Sequence, residues 1–183
     1  MATDRSIHFW KRDLRSQMKR RLRELQKEQY EAKSAKICHK VTNSFASANV
    51  VAAFASSRFE PNLETLWTQG FFVRRIALYP KIDGNNLVFC PVAFSSELSP
   101  GQLGIREPVT PPTRLNPDVI LVPGLAFSSN GYRLGRGAGF YDRFLGLSST
   151  NMIKAGICFD FQLIPELPIE CHDVRMDLVI SDE

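Results

Sequence analysis

The densest chemical signal in the chain lies between Val122 and Arg143. The apolar run Val122 to Phe127, which contains Pro123-Gly124, is followed by Gly131-Tyr132-Arg133-Leu134-Gly135-Arg136-Gly137-Ala138-Gly139-Phe140-Tyr141-Asp142-Arg143. Glycines at this spacing let backbone N–H groups approach an anion and let φ take either sign. The segment follows a strand and leads into a helix, whose first turn adds free donors and a positive dipole. Arg133 and Arg136 supply planar forks that match phosphate oxygens. Together these residues describe a phosphate cradle. The competing reading is a structural turn, and four glycines interleaved with two arginines at a strand end weigh against it. The loop is not a Walker A sequence, because no Gly-Lys-Ser/Thr follows. Nor is it the dinucleotide fingerprint, because Phe140 stands where that pattern needs glycine.

Asp142 lies just past the loop. A carboxylate beside a phosphate repels it unless a Mg²⁺ ion stands between them. Equally, an aspartate in the first turn of a helix favours the helix dipole without any metal. Asp173, in the stretch His172-Asp173 that precedes Asp177, could supply a second carboxylate to such a metal. His172 alone is weak evidence, and His8 and His39 read as ordinary polar residues. Cys38, Cys90, Cys158 and Cys171 have no metal or redox spacing and read as core or incidental thiols.

These residues need elements to position them. Ile7, Trp10, Leu14, Met18, Leu22 and Leu25 recur at helical period and predict an amphipathic helix over residues 5–27. Lys11, Arg15 and Lys19 follow at four-residue steps on a neighbouring face. A second helix is expected over 28–45, with Ile37, Val41 and Phe45 as its stripe. Strands are expected at 48–55, 75–80, 87–94, 119–122, 153–159 and 178–180. A helix over 63–70 ends at Gly70, and another spans 140–147. Residues 95–117 and 124–139 are expected to be long connections. Strands alternate with helices, and several strands are apolar without alternation. That predicts an α/β fold of three layers, a mostly parallel sheet covered by helices on both faces. Sites in such folds lie at the C-terminal ends of the strands. The whole of residues 1–183 reads as one domain.

Composition narrows the class. The chain has 183 residues, 44% apolar and 23% charged, and is expected to fold without disulfides. No apolar run approaches a membrane span of about 20 residues. Met1 to Leu14 carries charges throughout and is not expected to be a secretory signal. A reduced cytoplasm is the simple reading. Residues 1–40 carry 12 Lys and Arg against 5 Asp and Glu, whereas the other 143 carry 11 against 14. The basic surplus is therefore local. Either it touches nucleic acid or it lines an anionic small-molecule site. An acidic body makes a poor general nucleic-acid binder.

Several separated segments carry a family resemblance. They are Lys11-Arg12-Asp13-Leu14-Arg15, Phe59-Glu60 with Glu64-Thr65, Gly104-Ile105-Arg106-Glu107-Pro108, the two blocks Val122 to Phe127 and Gly131 to Arg143, and His172-Asp173 with Asp177. On these the chain resembles the 5-formyltetrahydrofolate cyclo-ligases, also called 5,10-methenyltetrahydrofolate synthetases. The resemblance implies conversion of 5-formyltetrahydrofolate to 5,10-methenyltetrahydrofolate with ATP as co-substrate and Mg²⁺ as cofactor, releasing ADP and phosphate. It implies that Lys11, Arg12, Asp13, Leu14 and Arg15, with Arg133, Leu134, Gly135, Arg136, Gly137, Ala138, Gly139, Phe140 and Tyr141, bind ATP. It implies that Ala55, Glu60, Arg136, Gly137, Ala138, Gly139 and Phe140 bind the reduced folate. Arg136 and Arg133 would serve catalysis, and Asp142 and Asp173 would hold Mg²⁺. Phe140 and Tyr141 would flank the pterin or brace the loop. The implied protein is a monomer in the cytoplasm, with no nucleic-acid or membrane partner. The alternative is a sugar-phosphate or coenzyme A enzyme that uses the same loop on a similar scaffold.

Overall fold

Six strands form the central sheet of the protein, seen here in a computed structural model that describes residues 4–148 and 151–183. They are β1 (Val50–Ala52), β2 (Ile76–Asp83), β3 (Asn86–Val92), β6 (Val119–Pro123), β9 (Ile153–Ile157) and β11 (Leu178–Ile180). Their order is β11-β9-β6-β1-β2-β3, and every neighbouring pair is parallel except β2 with β3. Residues 1–3, part of the stretch expected not to be a signal, lie outside the described residues.

Side chains along these strands alternate between two cores. Val119 and Leu121 of β6 join one core, Ile120 and Val122 the other. Both sets are fully buried, which explains why the strand reads as a continuous apolar run. The first core is closed by α1 (Asp4–Glu24), α2 (Lys27–Ser44) and the short α3 (Thr65–Thr68), through Met18, Leu22, Ile37, Val41 and Leu66. The second is closed by α4 (Phe140–Leu147), through Leu145. Each fully buried Leu or Ile contributes about 1.5–3 kcal/mol of burial. The expected three layers are present. No helix among the described residues is long and apolar enough to cross a membrane.

Three expectations need correction. The strands expected at 75–80 and 87–94 form an antiparallel hairpin that pairs Ala77 to Asp83 with Val92 to Asn86. Its turn is Gly84-Asn85, with Gly84 at φ +58. Asp83-Gly84 between two apolar runs was the local sign of it. The 95–117 stretch is no plain loop, because β4 (Leu98–Pro100) and β5 (Arg106–Pro108) pair within it. The glycine-rich stretch likewise contains β7 (Ala126–Ser128) and β8 (Arg133–Leu134), which join β10 (Leu163–Ile164) in a small second sheet.

The stripe of α1 also departs from the simple helical reading. Met18 and Leu22 are buried, but Trp10 is 43% exposed and Lys11 only 5%. The first half of the helix thus buries its cation rather than its indole. The reason lies in the site.

Candidate active site

From β1 the chain runs outward to β2 and β3, then returns to place β6 on the other side of β1. At such a reversal the connections leave in opposite directions and open a crevice beyond the strand ends. A cleft of about 330 Å³ lies there. Phe54 and Ala55 beyond β1 and Pro123 and Gly124 at the end of β6 line it. The whole run Arg133 to Asp142 lines it as well.

The small sheet delivers this run. β8 pairs with β7, and Gly131 takes φ +87 at the hairpin, where its N–H bonds to the Ser128 carbonyl at 2.8 Å. A Cβ on Gly131 would lie 2.8 Å from the Met176 carbonyl oxygen, so the turn admits only glycine. The chain then passes Gly137 at φ +114 and Gly139 at φ +69 and enters α4. Arg15, on α1, grips the loop from outside through Nε, which bonds to the Gly135 carbonyl at 2.9 Å.

The two arginines of the loop face different ways. Arg136 is partly exposed, and its Nη2 stands 2.9 Å from Glu60 Oε1 and bonds to Ser57 Oγ. Glu60 is 6% exposed, and its Oε2 accepts the Ser57 N–H at 2.9 Å. Tyr30 and Ser34 of α2 hold the Glu60 loop: the Tyr30 hydroxyl donates to the Glu60 carbonyl, and Ser34 Oγ accepts from the Asn62 N–H. Arg133 instead lies under the loop. Its Nη2 is 2.9 Å from Asp142 Oδ1, at ion-pair distance, yet neither Nη2 nor Nε makes a hydrogen bond among the described residues, and both are inaccessible to solvent. Beside them, burial pushes the Tyr141 phenol up, and the negative Glu60 adds to the shift, so the hydroxyl stays neutral and able to donate.

Of the N-terminal segment expected to bind ATP, only Lys11 and Arg15 reach the cleft. Arg12 stacks on Phe9, Asp13 accepts a bond from Gln17, and Leu14 packs on the first core. A helix presents residues four apart on one face, which sends 11 and 15 inward and their neighbours elsewhere. Lys11 is doubly paired, with Glu170 Oε2 and Asp173 Oδ2 each at 2.6 Å. Its charge holds the Glu170 carboxyl below the usual carboxylate range. Glu170 was not singled out in the sequence, and Glu107, quoted there in a family segment but given no role, also lines the cleft and accepts the Ile82 N–H at 3.3 Å. No local motif marks Glu170; its partner Lys11 lies 159 positions away.

Asp142 and Asp173 are brought to the same side of the cleft, since the N–H of Val174, next to Asp173, approaches Asp142 Oδ1 at 3.5 Å. Each carboxylate is anchored by one oxygen. Asp142 Oδ1 faces Arg133, and Asp173 Oδ2 accepts from Lys11 and from the Glu170 N–H at 2.8 Å. Asp142 Oδ2 accepts no hydrogen bond among the described residues, and Asp173 Oδ1 has the His172 ring 3.9 Å away. Two hard oxygens beside the glycine-arginine loop suit a magnesium ion, which takes one or two carboxylates together with substrate phosphates.

Comparison with known proteins gives the family and the fold. The family model of the 5-formyltetrahydrofolate cyclo-ligase family matches residues 7–182. A 5-formyltetrahydrofolate cyclo-ligase of Mus musculus is 28% identical over 97% of this chain and 96% of its own length. One from Escherichia coli K12 is 37% identical over 73% of this chain and 78% of its own length. Among solved structures, the 5,10-methenyltetrahydrofolate synthetase of Aquifex aeolicus superposes with a TM-score of 0.82 at 30% identity, covering 94% of this chain and 90% of the other. That of Mycoplasma pneumoniae gives 0.78 at 24% identity, covering 94% and 99%, and shares the fold. With the glycine-arginine loop at the crevice, Glu60 opposite it and the family model spanning nearly the whole sequence, the chain belongs to the 5-formyltetrahydrofolate cyclo-ligase family.

Proposed function

We propose that the protein converts 5-formyltetrahydrofolate to 5,10-methenyltetrahydrofolate, with ATP as co-substrate and release of ADP and phosphate. The observation that carries this reading is the meeting of Arg136 and Glu60 across the crevice. A group suited to phosphate oxygens and a group suited to pterin N–H donors stand within one ion pair of each other. That is the geometry a phosphoryl transfer onto the folate requires.

The chemistry needs such a site because a formamide carbon is a poor electrophile. Its nitrogen lone pair delocalises into the carbonyl. Transfer of the γ-phosphoryl group to the formyl oxygen turns that oxygen into a leaving group. The side-arm nitrogen then attacks the carbon and gives up its proton, the ring closes, and the C–O bond breaks as phosphate departs with the former formyl oxygen. Arg136 would stabilise charge on the transferred group, and backbone N–H groups from Gly135 to Gly139 would hold the remaining phosphates. Glu60 would orient the pterin as an acceptor, and Ala55 and Phe140 would line its pocket. Arg15 would add positive charge from α1, and Lys11 would hold Glu170 and Asp173 at the edge of the nucleotide site. Asp142 and Asp173 would hold Mg²⁺, which when bound neutralises phosphate charge. The sugar-phosphate or coenzyme A alternative loses its support, because the loop that suggested it belongs to the family block.

The test is absorbance in the methenyl-folate band after mixing protein, Mg-ATP and 5-formyltetrahydrofolate. A rise that requires all components is expected. No rise from folded protein that binds ATP would remove the folate as acceptor.

A further inference from the structure

We propose that Arg133 is a positioning residue: it holds Asp142 in place for the divalent cation and makes no contact with the nucleotide itself. The inference rests on the reading of the site given above, and it separates two arginines that the sequence presents as a pair.

The guanidinium of Arg133 is enclosed. Its side chain is 3% exposed, and Nε and Nη2 have essentially no accessible surface. Nη1 lies beneath the loop, where a Cβ on Gly135 would come within 2.9 Å of it. The Tyr141 ring flanks the group, with its centroid 5.6 Å from Cζ. A phosphate in the cleft meets the loop backbone and Arg136 before it meets these atoms. What Arg133 does reach is Asp142 Oδ1, at 2.9 Å from Nη2. The Val174 N–H approaches the same oxygen at 3.5 Å. Both contacts fall on Oδ1 and leave Oδ2 without a hydrogen bond among the described residues.

The physical consequence is a fixed carboxylate. A buried guanidinium is tolerated only beside an ionised partner, so Arg133 and Asp142 hold each other in place. Asp142 stands in the first turn of α4, so its backbone is set by the helix and its carboxylate by Arg133. An outer partner that orients a metal-binding carboxylate typically changes metal affinity by about 10–100-fold when it is removed.

The test compares Arg133→Lys, Arg133→Gln, Asp142→Asn and the double Arg133→Gln/Asp142→Asn. ADP binding is measured by calorimetry with EDTA and again with Mg²⁺, and Mn²⁺ binding is followed by electron paramagnetic resonance. In both Arg133 variants, metal-free ADP binding should stay within about twofold of wild type. The strengthening given by Mg²⁺, and the affinity for Mn²⁺, should fall by about tenfold or more. The double variant should lose no more than Asp142→Asn alone, because the two residues act as one unit. An equal fall in ADP affinity with and without metal would make Arg133 a direct phosphate ligand and overturn the proposal. Additive losses in the double variant would overturn it too. Arg133→Lys keeps the buried charge and carries the test if Arg133→Gln does not fold. A wild-type protein whose ADP binding ignores Mg²⁺ would overturn both this inference and the metal site. Intact Mg²⁺-responsive binding without any methenyl product would overturn the proposed reaction alone.

Discussion

Arg136 Nη2 lies 2.9 Å from Glu60 Oε1, so the cation expected to meet phosphate and the carboxylate expected to meet the pterin pair with each other across the cleft. The pair is lopsided. Glu60 has a buried side chain and a second anchor in the Ser57 N–H, whereas about a third of the Arg136 side chain is exposed. Arg136 is therefore the partner free to leave, and Glu60 the one that stays.

That asymmetry gives opposite signatures to two substitutions. Arg136→Ala is expected to lower kcat by about 10²–10³, the usual effect of losing one donor to developing charge. It should cost about 1–3 kcal/mol of stability, because Glu60 loses one partner. Glu60→Gln is expected to raise the KM for 5-formyltetrahydrofolate while the KM for ATP stays nearly constant. Steady-state kinetics with each substrate varied in turn, together with urea unfolding, checks both. Equal shifts in the two KM values would take Glu60 out of the pterin site.

Gly137 holds φ +114, a region that side chains with a Cβ rarely enter. Gly137→Ala is expected to cost about 1–3 kcal/mol where the loop keeps its path, or to move the loop where it does not. In either case the backbone donors between Gly135 and Gly139 leave their alignment. ATP binding should weaken by about tenfold, the equivalent of 1.4 kcal/mol. Nucleotide titration and thermal unfolding of the variant measure the two effects separately.

Gly156 tests packing away from the chemistry. A Cβ there would stand 2.3 Å from Phe127 Cε1, and the other edge of the same ring is crowded by Gly124, whose own Cβ would lie 2.7 Å from Cε2. Phe127 is fully buried and has no room to shift. Gly156→Ala is expected to destabilise the fold by about 1–3 kcal/mol or more. Denaturant unfolding should show the loss, while the KM values of the folded fraction stay close to wild type.

The Lys11 ammonium holds Glu170 below its ordinary carboxyl value of 4.5. The folded protein thus keeps Glu170 ionised at pH values where the unfolded chain takes up a proton. The stabilisation is fully present above about pH 4.5 and fades as pH falls through the folded value. Between about pH 6 and about pH 3.5, wild type should lose more stability than Glu170→Gln, which has no proton to gain there. Urea unfolding at the two pH values checks this, and parallel curves for the two proteins would remove Glu170 from the acid response.

The parts of the molecule that were readable beforehand rest on local rules. The helix Phe140–Leu147 and the strand Leu178–Ile180 occur with the expected bounds, and the strand expected at 119–122 extends by one residue. A glycine before an apolar periodic run, or an apolar run stopped by Pro-Gly, states its conformation within a few residues. The β2–β3 hairpin was equally local, in Asp83-Gly84, and was expected as separate strands. The small sheet was not local. β8 and β10 have two residues each, and what makes them strands is their pairing with β7, as in Leu163 opposite Phe127 and Arg133 opposite Phe127.

The sequence by itself determined the alternation of strands and helices, the glycine-arginine loop between a strand and a helix and the family to which that loop belongs. It could not distinguish Arg133 from Arg136, which are the same residue type three positions apart in one motif. The tertiary structure decided that one lies buried beneath the loop against Asp142 and the other faces Glu60. It also decided that Lys11 spends its charge on Glu170 and Asp173. The reason is that backbone conformation follows from steric rules between neighbours in the chain. The role of a charge follows from what surrounds it in space, and here that surrounding comes from segments far apart in sequence.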